Sequence, residues 1–128
     1  MPAPSTATYS AAVKIAANTE LRDLLDSGSN ALLRIRDASD VLLYQGTLSD
    51  PCGSVNGTTG VLTITAPSAT NVTTSGTAAY AELCTSTGTV HLALPAQAGT
   101  TAVANKIVIN TLSLVGGAPL NITSIVID

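Results

Sequence analysis

His91 is the single imidazole of the chain, and using it as a base would require an acid to orient it. The nearest carboxylate in sequence is Glu82, across an expected turn, so no nucleophile–base pairing is legible. A subunit contact with some pH sensitivity is the functional reading His91 admits. Asp37 and Asp40 could suggest a calcium loop, but alternating oxygen ligands over twelve residues and a closing Glu are missing. Their expected role is to bond the backbone of the turn they start. Glu20, Asp23 and Asp26 fall about one turn apart on a helical stretch and read as its solvated side. A glycosidase would need two carboxylates aimed into one cleft, and Glu82 stands alone in the β-forming portion. Cys52 and Cys84 have no zinc-motif spacing, and one His cannot complete a site with them. Free thiols are expected. The residues therefore predict no catalytic, cofactor or metal site, and no enzyme.

Charge is distributed unevenly. Residues 51–128 carry only Glu82, Lys106 and Asp128, and every other charged side chain lies in the first fifty residues. The net charge of −3 argues against nucleic acid, which a basic patch would attract. Arg34 and Arg36 form the one close basic pair and read as the solvent face of a strand. No apolar run approaches the roughly 20 residues needed to span a bilayer, so no membrane role is expected. The start, MPAPSTATYSAAVKIAAN, lacks a basic opening and a continuous apolar stretch, so a secretory signal is not expected either. Asn56, Asn71 and Asn121 fit the N-glycosylation pattern and are discounted on that ground. The chain is one domain's worth, and its 45% hydrophobic content suffices for a core. With no Phe or Trp, and Tyr9, Tyr44 and Tyr80 the only aromatics, that core must be aliphatic.

The elements that would position these residues follow from periodicity. Residues 1–9, with Pro2 and Pro4 among Ser, Thr and Ala, predict a flexible N-terminal arm. Residues 10–128 predict a single domain that opens with a helix spanning 10–27. Val13, Ala17, Leu21, Leu24 and Leu25 mark its apolar face, Ser10 its N-cap and Gly28 its stop. Strands follow: ALLRIRD and VLLYQGTL as a hairpin over the 37–40 turn, then a surface loop from Ser49 to Gly60. GVLTITA, Thr77–Cys84 and Thr89–Leu94 come next, the last two joined at Ser86-Thr87-Gly88. Ile107 and Ile109, Leu112–Val115 and Leu120–Ile127 complete about eight short strands, the pattern of a sandwich or barrel. Gly116-Gly117 reads as a turn. The last strand is apolar on both faces at Ile125, Val126 and Ile127, and belongs in the sheet interior or against another subunit.

The order of motifs carries a resemblance. A helix with paired leucines precedes a Gly-Ser break and ALLRIRD. The DP loop and GVLTIT follow, then SGTAAYAEL with TSTGTV, and KIVINTLSLVGGAPLNITSIVI closes the chain. Over most of residues 10–128 this resembles small virion proteins of tailed bacteriophages, including capsid cement or decoration proteins. Relatives in that group tend to read "LRIYDG", "GVLT" and "SGTA" plus an aromatic. Arg36 stands here where an aromatic is common, and Tyr80-Ala81 is less bulky than usual. The resemblance implies a jelly-roll-like antiparallel β-sandwich that binds the outside of a phage head between capsomers. Its partners would be the major capsid protein and further copies of itself, as a dimer or trimer, in the virion. Pro2, Pro4 and Tyr9 are the candidates for an arm that orders on the capsid, and Ile125, Val126 and Ile127 for subunit pairing. A tail, baseplate or receptor-binding component would share the same fold and composition. A carbohydrate-binding module, which normally presents exposed Trp or Tyr to stack on sugars, fits less well.

Overall fold

The computed structural model describes residues 9–67 and 71–128; Pro2 and Pro4, and with them most of the expected arm, lie outside the described residues. One helix, α1 (Ala11–Leu25), opens the domain, and the Val13 N–H donates to Ser10 Oγ at its start. This is the N-cap that the residue types demand: a short polar side chain satisfies one of the first turn's orphan donors.

Ten strands follow: β1 (Leu32–Arg36), β2 (Leu42–Thr47), β3 (Gly53–Val55), β4 (Leu62–Ile64) and β5 (Gly76–Thr77), then β6 (Tyr80–Cys84), β7 (Val90–Ala98), β8 (Lys106–Ile109), β9 (Ser113–Leu114) and β10 (Ile122–Ile127). Eight of them form a single curled sheet in the order β2-β1-β6-β7-β8-β10-β4-β3, and β5 pairs with β9 beside it. The molecule is thus mainly β with one N-terminal helix. The expected wholly antiparallel order breaks at one place, where β7 and β8 run parallel.

β7 makes the architecture. Val90 and Leu92–Pro95 pair with β6, and the last three residues, Ala96–Ala98, pair with β8. One strand thereby belongs to both halves of the sheet, as corner strands do when a sheet folds over on itself. Pro95 sits at the changeover. Leu92 and Leu94 turn their main chain to β6, so the N–H that Pro95 lacks would face away from that ladder, just before pairing with β8 begins.

The two halves enclose a single aliphatic core. Leu33, Ile35, Ala81, Leu83 and Leu94 reach it from one side, and Leu62, Ile64, Ile107, Ile109, Ile125 and Ile127 from the other. Tyr44 is the one aromatic within it. Alternation explains the set, because residues two apart on a strand share a face.

Another expectation needs correcting. The stretch Ser49–Gly60 is not all surface loop: Gly53–Val55 pairs with β4, and Cys52 and Gly53 are buried. A Cβ at Gly53 would lie 2.3 Å from the Thr63 carbonyl oxygen, so only glycine permits this close approach. The closing strand takes the sheet-interior alternative. β10 is hydrogen-bonded to β8 on one side and β4 on the other, and Ile125 and Ile127 are in the core. Val126 between them is half-buried.

Candidate interaction surfaces

Polar bonds tie the helix to the sheet at three points along its length. Asn18, buried at its middle, donates from Nδ2 to the Gly60 carbonyl at 2.7 Å and to the Ile127 carbonyl at 3.2 Å. One turn earlier, Lys14 Nζ meets Asp128 Oδ1 at 2.7 Å. At the far end, the Asp26 carboxylate accepts the Cys52 N–H at 3.1–3.2 Å, and Leu25 inserts into the core. Gly60 is required for the approach: its φ is +80°, and a Cβ there would lie 2.5 Å from Lys14 Cβ and 2.8 Å from the Ile15 nitrogen.

These anchors fix the rotation of the helix about its axis. Asn18, Leu25 and, partly, Lys14 and Arg22 face the body. The apolar stripe read from the sequence therefore lies to the side. Leu21 is half-buried, Ala17 is exposed, and Val13 and Leu24 are 46% and 41% exposed. Tyr9, at the head of the stripe, is 74% exposed. A surface groove of about 300 Å³ runs beside it, lined by Tyr9, Val13, Lys14, Ala17, Asn18 and Asp128. Helical spacing marks Val13, Ala17 and Leu24 as the apolar face, and leaves Tyr9 in the arm.

On the outer face of β2, β1 and β6, side chains are laced across strands. Arg34 Nε donates to Gln45 Oε1 at 2.9 Å, Arg36 is ion-paired with Glu82, and Arg36 Nη1 donates to the Asp40 carbonyl at 3.0 Å. The Glu82 hydrogen bond raises the Arg36 pKa further. The Tyr80 hydroxyl donates to Asp40 Oδ1 at 2.7 Å, which pushes its pKa up to about 12. Asp37 does the turn work expected of it, accepting the N–H groups of Ser39 and Val41. The arginine pair is thus occupied by partners within the chain.

The three charges of residues 51–128 are occupied as well: Glu82 by Arg36, Asp128 by Lys14, and Lys106 Nζ donates to Gln97 Oε1 at 3.0 Å. What this portion offers outward is Thr, Ser, Asn and Ala, with Val90 and Val115 as its exposed large apolar residues. A second cavity, about 180 Å³, is lined by residues such as Asn110, Thr111, Val115 and Asn121 and by no charged group.

His91 is exposed and is the extra residue of an irregularity in the ladder, since Leu83 pairs with Leu92 but Cys84 with Val90. Cys52 and Cys84 are free and buried. Burial, then the neighbouring Asp26 carboxylate, pushes the Cys52 thiol up to about 12, and burial raises Cys84. A thiol held protonated is a poor nucleophile. Among the described residues no group of three or more His, Cys, Asp or Glu could hold a metal, and no helix is long and apolar enough to cross a membrane. Asn56 closes a turn, accepting the N–H groups of Thr58 and Thr59.

No protein-family model, no curated protein and no solved structure matches the chain.

Proposed function

We propose that this chain is a non-enzymatic structural protein of a phage virion, a decoration protein that binds the outer surface of the head between capsomers and stabilises it. Its partners are the major capsid protein and further copies of itself. The observation that carries this reading is the use of charge. All three charged side chains of residues 51–128 are engaged by partners within the chain, leaving a charge-poor, hydroxyl- and amide-rich exterior on an aliphatic core. Such an exterior suits adhesion by shape and short hydrogen bonds, and several weak contacts to a lattice add through effective concentration. The motif order shared with small virion proteins supports the same reading.

Gold-labelled antibody against the chain, imaged on particles made by the genome that encodes it, tests the proposal. Label spaced over heads is the expected result. Label confined to tails would make it a tail component, and bare particles would overturn a virion role.

A further inference from the structure

We propose that the flank of α1 from Tyr9 to Leu24 is a docking surface for an apolar protein segment that carries basic residues, supplied by the larger assembly. That assembly's identity rests on the reading above; the chemistry of the segment comes from the surface itself.

Three observations converge on it. Tyr9, Val13 and Leu24 are half of the large hydrophobic residues exposed on the described surface, whose other members are Val41, Val90 and Val115, so apolar exposure is concentrated on this one element. The exposure is built in, because Asn18, the Lys14–Asp128 pair and the Asp26–Cys52 bond set the rotation that turns the stripe outward. The groove lined by Tyr9, Val13 and Ala17 then gives a side chain somewhere to go.

Charge selects the occupant. Every Lys and Arg side chain among the described residues is already engaged: Lys14 with Asp128, Arg22 with Asp23, Arg34 with Gln45, Arg36 with Glu82 and Lys106 with Gln97. On the exposed side of α1, Glu20 has no partner among the described residues, and Asp23 is shared only with its neighbour Arg22. Among the described residues, the surface beside the apolar flank is therefore acidic, with no Lys or Arg left unengaged. An acidic segment would be repelled there, and a second copy would bring its own Glu20 and Asp23 to the same border. An apolar segment flanked by Lys or Arg is complementary on both counts. A single helix flank is small, so each contact is weak and depends on repetition over a lattice.

Co-sedimentation with purified phage heads, over a range of protein concentrations and salt, tests this. Leu24→Glu is expected to weaken binding by about tenfold or more. Glu20→Lys should weaken it by about threefold or more, and added salt should weaken the wild type. Ser39→Lys, in the β1–β2 turn, serves as a control for added charge and should bind as the wild type does. Unfolding midpoints check that each variant is folded. If Leu24→Glu and Glu20→Lys bind as tightly as the wild type while the wild type does sediment with heads, the proposal falls and the functional reading stands. Tighter binding by Glu20→Lys would show the segment to be acidic and overturn it. Light scattering that finds a wild-type dimer dissolved by Leu24→Glu would give the flank to a second copy instead. A wild type that sediments with neither heads nor tails overturns the functional reading and this proposal together.

Discussion

Along β1 and β6, the residues that alternation assigns to the interior, Leu33, Ile35, Ala81 and Leu83, are fully buried. Along α1 the residues that helical spacing assigns to the interior, Val13, Ala17 and Leu24, are exposed, and an asparagine occupies the position facing the body. The two regions differ in what holds them. A strand's orientation is fixed by its neighbours' ladders, so apolar pattern and burial must agree or the whole face is misplaced. A surface helix is free to rotate about its axis, and here a few directed bonds settle that rotation against part of its apolar stripe. Hydrophobic burial specifies the sheet, and polar geometry specifies the pose of the helix.

The contrast can be broken by substitution. Ile35→Ala, in the sheet, should cost about 2–5 kcal/mol, because it deletes buried methylenes and leaves a cavity between strands. Urea denaturation followed by circular dichroism checks it, and a loss below 1 kcal/mol, read roughly, would mean the core is looser than its burial implies. Asn18→Ala, in the helix, should cost about 1–3 kcal/mol by leaving the Gly60 and Ile127 carbonyls without their donor. Its second readout is more telling: fluorescence of a hydrophobic dye should change, since the rotation that exposes Val13 and Leu24 then rests on the Lys14–Asp128 and Asp26–Cys52 anchors alone.

Alkaline pH sharpens the comparison from the sheet side. Cys52 in the folded chain titrates near 12, above its ordinary value of 9, chiefly because it is buried. In that window the unfolded chain has released a proton that the folded chain still holds, so stability is fully present below pH 9 and falls as pH rises towards 12. The slope from this thiol is at most about 1.4 kcal/mol per pH unit. Tyr80, raised to about 12 by Asp40, acts in the same direction above pH 10. Cys52→Ala should flatten the decline between pH 9 and 12 and leave the contributions of Tyr80 and of the raised Cys84 thiol; an unchanged slope would place the titrating group elsewhere. Ellman's reagent should find both thiols unreactive until the protein is unfolded. The smallest effect belongs to the helix flank: Leu24→Ser should change stability by no more than about 0.5 kcal/mol, as an exposed position does.

Much of the sheet was legible because its strands alternate cleanly. Leu33 and Ile35 against Arg34 and Arg36, or Ala81 and Leu83 against Tyr80 and Glu82, can be assigned to faces from residue type alone. Ser10 as N-cap and Asp37 as turn former were legible for the same local reason. What escaped is non-local. β3 hides among turn residues, because Gly53-Ser54-Val55 acquires its strand character only by pairing with β4. The strand expected over Thr89–Leu94 runs on to Ala98, and its passage through Pro95 depends on which neighbour lies on which side of β7. The pose of α1 depends on Gly60, Ile127 and Asp128, residues far away in the chain whose meeting with Lys14 and Asn18 no periodicity announces. The stripe Val13–Leu24 was visible, while the direction it points was not.

The strand shared by both halves has a mechanical consequence. Because β7 is hydrogen-bonded to β6 over one length and to β8 over the next, a pull applied to either leaf is carried to the other along covalent backbone. The leaves cannot shear past one another by sliding side chains alone; a ladder must rupture first. A body joined in this way passes load from one leaf to the other without opening.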